Sequence, residues 1–85
     1  MHKIQLPEDY ALVLQQVEEN GSEDFSMLAE SLRIDRPRLR HIVRALQHKG
    51  LIVMQAAGGD FRIRLSAKGQ QLTAYIWPQH GWSAI

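Results

Sequence analysis

The sequence contains no cysteine, so it offers neither a disulfide framework nor a thiolate ligand for zinc. It has no run of eighteen apolar residues, which a membrane-spanning helix would need, and its beginning, MHKIQLPEDY, lacks the apolar core of a signal peptide. The net charge is also small, at +1. With 45% hydrophobic and 22% charged residues in 85 positions, the composition is typical of a globular chain. We expect one soluble, cytoplasmic domain without a membrane partner.

Catalytic motifs are missing as well. The sequence has no G-x-S-x-G, no P-loop, no dinucleotide fingerprint and no H-E-x-x-H. His41 and His48 are seven positions apart on one predicted helix, too far apart for a pair of metal ligands at i and i+4. We therefore expect no enzyme, no cofactor and no metal site.

The few excess charges are distributed unevenly along the chain. Residues 1–31 hold one lysine against seven acidic residues, whereas residues 32–68 hold nine basic residues against two acidic ones. Such polarity is typical of a protein with one face that attracts an anionic polymer, although chance can produce it in so short a chain.

Three helices are predicted in the first part of the chain, over residues 7–20, 24–32 and 35–49. Pro7 and Pro37 suit first-turn positions, where a missing N–H costs nothing. Asp35 is a candidate N-cap for the third helix, and Gly50 is placed to end it. In the third helix, the apolar residues recur at i, i+3, i+4 and i+7, as a helix with one buried face requires: Leu39, Ile42, Val43 and Leu46.

The pattern then changes from a helical to an alternating period, which predicts a hairpin over residues 51–65. With the turn at Gly58–Gly59, Ala57 lies opposite Asp60 and Ile52 opposite Leu65. This register collects the apolar side chains on one face of the hairpin and the polar ones, including Arg62 and Arg64, on the other. A final helix is predicted over residues 67–77 and is followed by a tail, 78–85.

This order of elements resembles that of winged helix-turn-helix transcriptional regulators of the MarR, PadR and ArsR groups. The phrases that carry the resemblance are LAESL, LRHIVRALQHKGLI and RLSAKGQQL. They match, respectively, the second helix, the recognition helix with its glycine exit, and the step from the wing into the last helix. The resemblance implies an α+β, mainly α fold of three helices, a two-stranded wing hairpin and a C-terminal helix.

The chain departs from that pattern in three places. Arg33 stands in a turn that often has glycine, and in a left-handed conformation it would cost roughly 1 kcal/mol. Asp60 puts an acid at the tip of a short wing, where a basic residue would serve DNA better. Only one helix follows the wing, so a small-molecule effector is not supported by the sequence.

Four arginines crowd the predicted recognition helix. Because its apolar stripe must face the core, the resemblance implies that the remaining side chains meet a DNA major groove: Arg36, Pro37, Arg38, Arg40, His41 and Arg44. Arg36, Arg40 and His41 are candidate base readers, and Arg38 and Arg44 are candidate phosphate contacts. Arg62, Arg64 and Lys68, on or after the wing, are placed to contact the flanking backbone.

The sequence thus predicts a sequence-specific regulator that binds double-stranded DNA. Two alternatives stay open. The arginines can be an ordinary solvated helix face, and a winged helix can instead bind a protein or RNA partner without DNA specificity. We also expect a homodimer, because one small module makes few base contacts, with Tyr75, Ile76, Trp77 and Trp82 as possible dimer contacts.

Overall fold

The computed structural model describes residues 7–76 of the chain. The helices and strands occur in the order α1 (Glu8–Asn20), β1 (Ser22–Asp24), α2 (Phe25–Leu32), α3 (Arg36–His48), β2 (Ile52–Ala57), β3 (Asp60–Leu65) and α4 (Ala67–Ile76). The predicted fold class is therefore confirmed, with one correction: the sheet has three strands, not two. None of the helices in residues 7–76 is long and apolar enough to cross a membrane.

Helix α3 begins and ends where its local sequence signals lie. The Asp35 carboxylate accepts a hydrogen bond from the Arg38 backbone N–H at 3.3 Å, and Pro37 occupies the first turn. At the other end, Gly50 has a φ of 75°, a conformation that costs glycine little. Leu39, Ile42, Val43 and Leu46 are all buried, so the predicted apolar stripe does face the core.

The turn between α2 and α3 contains the one non-glycine residue with positive φ among residues 7–76. Arg33 adopts φ 56° and ψ 44°, the left-handed conformation. Its backbone N–H donates to the Glu30 carbonyl, and that of Ile34 donates to the Ala29 carbonyl, so the end of α2 is closed by backbone hydrogen bonds. The turn therefore has the left-handed geometry that glycine usually adopts, and Arg33 brings the strain that a side chain causes in that conformation.

The three strands form an antiparallel sheet in the order β1-β3-β2. The hairpin of β2 and β3, hereafter the wing, has the predicted register, from Ile52 opposite Leu65 to Ala57 opposite Asp60. The additional strand β1 pairs with β3, with Asp24 opposite Arg62. Its three residues, Ser-Glu-Asp, carry no alternating apolar pattern, so β1 arises from its position beside β3 and not from its own sequence.

Packing around the start of α4 connects that helix to the end of α3. The Ser66 backbone N–H donates to the Leu51 carbonyl at 3.0 Å, and the Ser66 hydroxyl accepts from the Gly69 N–H at 3.0 Å. The Lys68 ammonium donates to the Lys49 carbonyl at 3.1 Å.

Helices α1–α3 and the root of the wing enclose one core, whose largest fully buried side chains are Leu14, Leu28, Leu39, Ile42, Leu46 and Ile63.

Candidate nucleic-acid interface

The surface of α3 that faces away from the core is basic along its whole length. Arg40, His41 and Arg44, which sequence reasoning selected, are exposed together with Pro37. The same surface continues beyond them to His48 and Lys49, both exposed. Those two residues were missed as candidates, although His48 follows His41 at seven positions and so lies two helical turns further on the same face.

The wing-side flank of α3 forms one wall of an open cleft of about 540 Å³. The opposite wall is formed by the wing and the start of α2. Arginine side chains from three successive turns meet half-exposed apolar side chains here. The main lining residues are Arg36, Arg40, Arg44, Ser26, Asp60 and Phe61.

The other flank of α3 faces α1, and Arg38 lies there. Its Nε and Nη2 atoms donate to the Asp9 Oδ2 atom at 2.9 and 2.6 Å, and its guanidinium lies 5.9 Å from the centroid of the Tyr10 ring. The hydrogen bonds from Arg38 lower the pKa of Asp9, and those to Asp9 raise the pKa of Arg38. The four arginines therefore do not share one direction, since Arg38 is held against α1.

Arg36 also has a partner within the chain. Its Nη2 atom donates to the Ser26 hydroxyl at 3.2 Å, at the start of α2. Asp60, at the wing tip, accepts a hydrogen bond from the Phe61 backbone N–H at 2.7 Å. That bond, together with the neighbouring Ser26 and the nearby charge of Arg36, lowers the pKa of Asp60. The acid at the wing tip is thus turned towards the starts of α2 and α3.

The basic residues of the wing and its flank differ in their surroundings. Arg62 pairs with Asp24 at 3.4 Å and donates to the Ser22 hydroxyl at 3.1 Å, so strand β1 holds it. Arg64 is exposed on the same strand. Lys68 is exposed as well, although its ammonium donates to the end of α3.

The candidate dimer contacts are only partly visible. Tyr75 is 71% exposed on α4 and Ile76 is half-buried, whereas Trp77 and Trp82 lie outside the described residues. Within residues 7–76, no three His, Asp or Glu side chains come close enough together to hold a metal ion.

The arrangement of α2, a short left-handed turn, α3 and a following antiparallel hairpin defines a winged helix-turn-helix. Solved structures share this fold with the chain, among them NadR, AbsC and BpsR. NadR in complex with 4-hydroxyphenylacetate superposes with a TM-score of 0.79 at 28% sequence identity, over 91% of this chain and 57% of that one. AbsC, a MarR family transcriptional regulator from Streptomyces coelicolor, superposes with a TM-score of 0.78 at 19% sequence identity, over 92% of this chain and 56% of AbsC. BpsR from Bordetella bronchiseptica superposes with a TM-score of 0.77 at 18% sequence identity, over 93% of this chain and 60% of BpsR.

The comparisons agree with the winged-helix fold predicted from the sequence, and AbsC belongs to the MarR family, one of the three groups named there. The chain spans little more than half the length of these relatives. No protein-family model and no curated protein matches the sequence.

The expectation about effectors needs correction. NadR was solved with 4-hydroxyphenylacetate bound, and the DNA binding of BpsR is regulated by 6-hydroxynicotinic acid. Proteins of this fold therefore include some with small-molecule ligands. These relatives therefore give no support to the expectation that an effector is absent.

Proposed function

We propose that this chain is a MarR-type transcriptional regulator that binds double-stranded DNA in a sequence-specific manner, with α3 in the major groove. The observation that carries the proposal is the exposed basic surface of α3. An α-helix fits the major groove of B-DNA, and here Arg40, His41 and Arg44 stand on the side of the helix that the core leaves free.

The chemistry of these side chains fits both parts of such an interface. The arginine guanidinium forms two parallel hydrogen bonds with guanine O6 and N7 or with phosphate oxygens. We assign base reading to Arg40 and His41 near the start of the helix, and phosphate contacts to Arg44, His48 and Lys49 further along it. Arg38 remains a candidate phosphate contact. Asp9 accepts hydrogen bonds from its Nε and Nη2 atoms. Because a guanidinium has five N–H groups, others are left to donate to a phosphate.

The wing supplies the flanking contacts in this proposal. Arg64 is exposed and Arg62 is half-exposed despite its pairing with Asp24, so both can meet the sugar-phosphate backbone beside the groove. Lys68 stands near the end of α3, where the DNA backbone would leave the groove. A homodimer with two half-sites about one helical turn apart would give the specificity that one module lacks. Such a regulator acts on DNA in the cytoplasm, as one winged-helix unit per subunit.

Salt dependence of DNA binding tests the proposal. If each subunit neutralises four or five phosphates, the logarithm of the affinity should fall with the logarithm of the salt concentration with a slope of roughly −4 per subunit. Fluorescence anisotropy with duplexes selected from a random pool measures both the slope and the sequence preference. No binding to any duplex at low salt would contradict the proposal, and equal binding to all duplexes would contradict its sequence specificity.

Substitutions on α3 test the orientation of the helix. Arg40→Ala and Arg44→Ala should each weaken DNA binding, and each lost phosphate contact should reduce the slope by about 0.9. Both side chains are exposed, so the melting temperature should hardly change. Ser31→Ala, on the exposed surface of α2, is a control expected to bind like the wild type. Unchanged binding by both arginine variants would mean that α3 is not the reading helix.

A further inference from the structure

The tip of the wing has little apolar packing to hold it in place. Gln55, Ala56 and Ala57 are all exposed, and Phe61 is 47% exposed. The turn consists of Gly58–Gly59, both with positive φ, and glycine has the largest conformational entropy to lose. A wing that must meet DNA at a fixed distance from α3 therefore needs another constraint near its tip.

Three polar residues from three different elements meet at that point, and we call them the wing-tip cluster: Ser26 of α2, Arg36 of α3 and Asp60 of β3. The Arg36 Nη2 atom is 3.2 Å from the Ser26 Oγ atom. Asp60 and Ser26 line the same cleft as Arg36, and its surroundings, Ser26 and Arg36 among them, lower the pKa of the Asp60 carboxyl. Ser26 thus joins α2 to α3 by a hydrogen bond, and Asp60 of the wing lines the cleft beside them.

The start of α2 gives a second reason for this arrangement. Asp24 occupies the N-cap position, but its side chain makes no capping hydrogen bond and pairs with Arg62 instead. The backbone N–H of Ser26 is one of those that a helix leaves unpaired at its start. The Asp60 carboxylate lines the same cleft as Ser26, at the end of α2 where the helix dipole favours a negative charge.

We propose that the wing-tip cluster fixes the distance between the wing and α3, so that Asp60, Ser26 and Arg36 are positioning residues for DNA binding and not contacts with DNA. This inference rests on the proposed function, and it revises the role that the sequence suggested for Arg36. It also gives the acid at the wing tip a purpose. Its charge is directed to α2 and Arg36, away from the phosphates.

The salt dependence of DNA binding separates positioning from contact. Arg36→Ala, Ser26→Ala and Asp60→Asn should each weaken binding about three- to tenfold, as expected for one lost hydrogen bond, with the slope against salt unchanged. Arg40→Ala should weaken binding and reduce the slope by about 0.9. Ser31→Ala, in the same helix as Ser26, is the matched control for the serine substitution and should change neither quantity.

A double substitution gives the sharper readout. If Ser26 and Arg36 act through one cluster, Ser26→Ala/Arg36→Ala should bind about as well as the weaker of the two single variants, since residues that act as a unit are not additive. Multiplicative losses, or a reduced slope for Arg36→Ala, would mean that Arg36 contacts DNA directly. Binding by Asp60→Asn that equals or exceeds that of the wild type would also overturn the proposal, because Asp60 would then only repel the phosphates.

Amide hydrogen exchange keeps the inference separate from the proposed function. In the free protein, Ser26→Ala should speed exchange at the Phe61 N–H about fivefold or more, since the tip opens more often, whereas Ser31→Ala should not. Unchanged exchange would refute the cluster whether or not the protein binds DNA. Faster exchange in a protein that binds no duplex would retain the cluster and reject only the DNA-binding function.

Discussion

Replacement of Gly69 by alanine sets two physical effects against each other. In an exposed helix, alanine is favoured over glycine by about 1 kcal/mol, so helix propensity predicts that Gly69→Ala stabilises α4. Packing predicts the opposite. A Cβ atom at position 69 would lie 2.0 Å from the Leu51 carbonyl oxygen and 3.0 Å from its carbonyl carbon. Both are backbone atoms, which cannot rotate away as a flexible side chain would.

The surrounding hydrogen bonds make this clash hard to relieve. The Leu51 carbonyl accepts from the Ser66 N–H, and the Ser66 hydroxyl accepts from the Gly69 N–H. A shift of α4 away from Leu51 strains the first bond if Ser66 moves with the helix and the second if Ser66 stays in place. Overpacking of this kind typically costs 1–3 kcal/mol. With about 3 kcal/mol lost and about 1 kcal/mol regained from propensity, the net destabilisation is about 2 kcal/mol. For a domain of this size, that lowers the melting temperature by roughly 8–16 °C.

Thermal melting followed by circular dichroism measures the effect. Gln71, exposed on the same helix, supplies the control: the difference between Gln71→Gly and Gln71→Ala reports the propensity term alone and should be about 1 kcal/mol in favour of alanine. If Gly69→Ala melts at or above the temperature of the wild type, the close approach of α4 to Leu51 does not exist as described. The glycine of RLSAKGQQL would then need another explanation.

Two further predictions concern Arg33 and Asp9. Arg33→Gly should stabilise the protein by about 0.5–1 kcal/mol, because relief of the left-handed strain exceeds the extra chain entropy of glycine; a lower urea midpoint than that of the wild type would contradict this. The pKa of Asp9 is lowered in the folded protein by its hydrogen bonds from Arg38, so the unfolded chain binds protons first on acidification. Its contribution to stability is full above the unfolded pKa, near pH 4, and is lost as the pH falls through the folded value. Asp9→Asn should therefore show a shallower loss of stability between neutral pH and pH 2 in urea titrations, whereas an identical pH profile would show that the pair with Arg38 contributes nothing.

The helices and the wing could be read from the sequence because their signals are local. Asp35, Pro37 and Gly50 mark the bounds of α3 within one or two residues, and the 3.6-residue period of its apolar stripe places its buried face. The two glycines at positions 58 and 59 fix the turn, and the period of two then fixes the register of the wing. Each of these depends on residues a few positions apart, for which propensity and pattern suffice.

Strand β1 and the partners of the arginines were decided by tertiary structure alone. The Asp9–Arg38 and Asp24–Arg62 pairs join residues about 30 and 40 positions apart, and no local pattern specifies which acid a surface arginine meets. How α1, α2 and the wing pack around α3 determines that Arg38 turns towards α1 and Arg36 towards Ser26. Arg40 and Arg44 are exposed and pair with no acid within residues 7–76. The sequence by itself determined that a basic helix would be presented. The packing angles of its neighbours, which no single element encodes, decided which of its arginines are available.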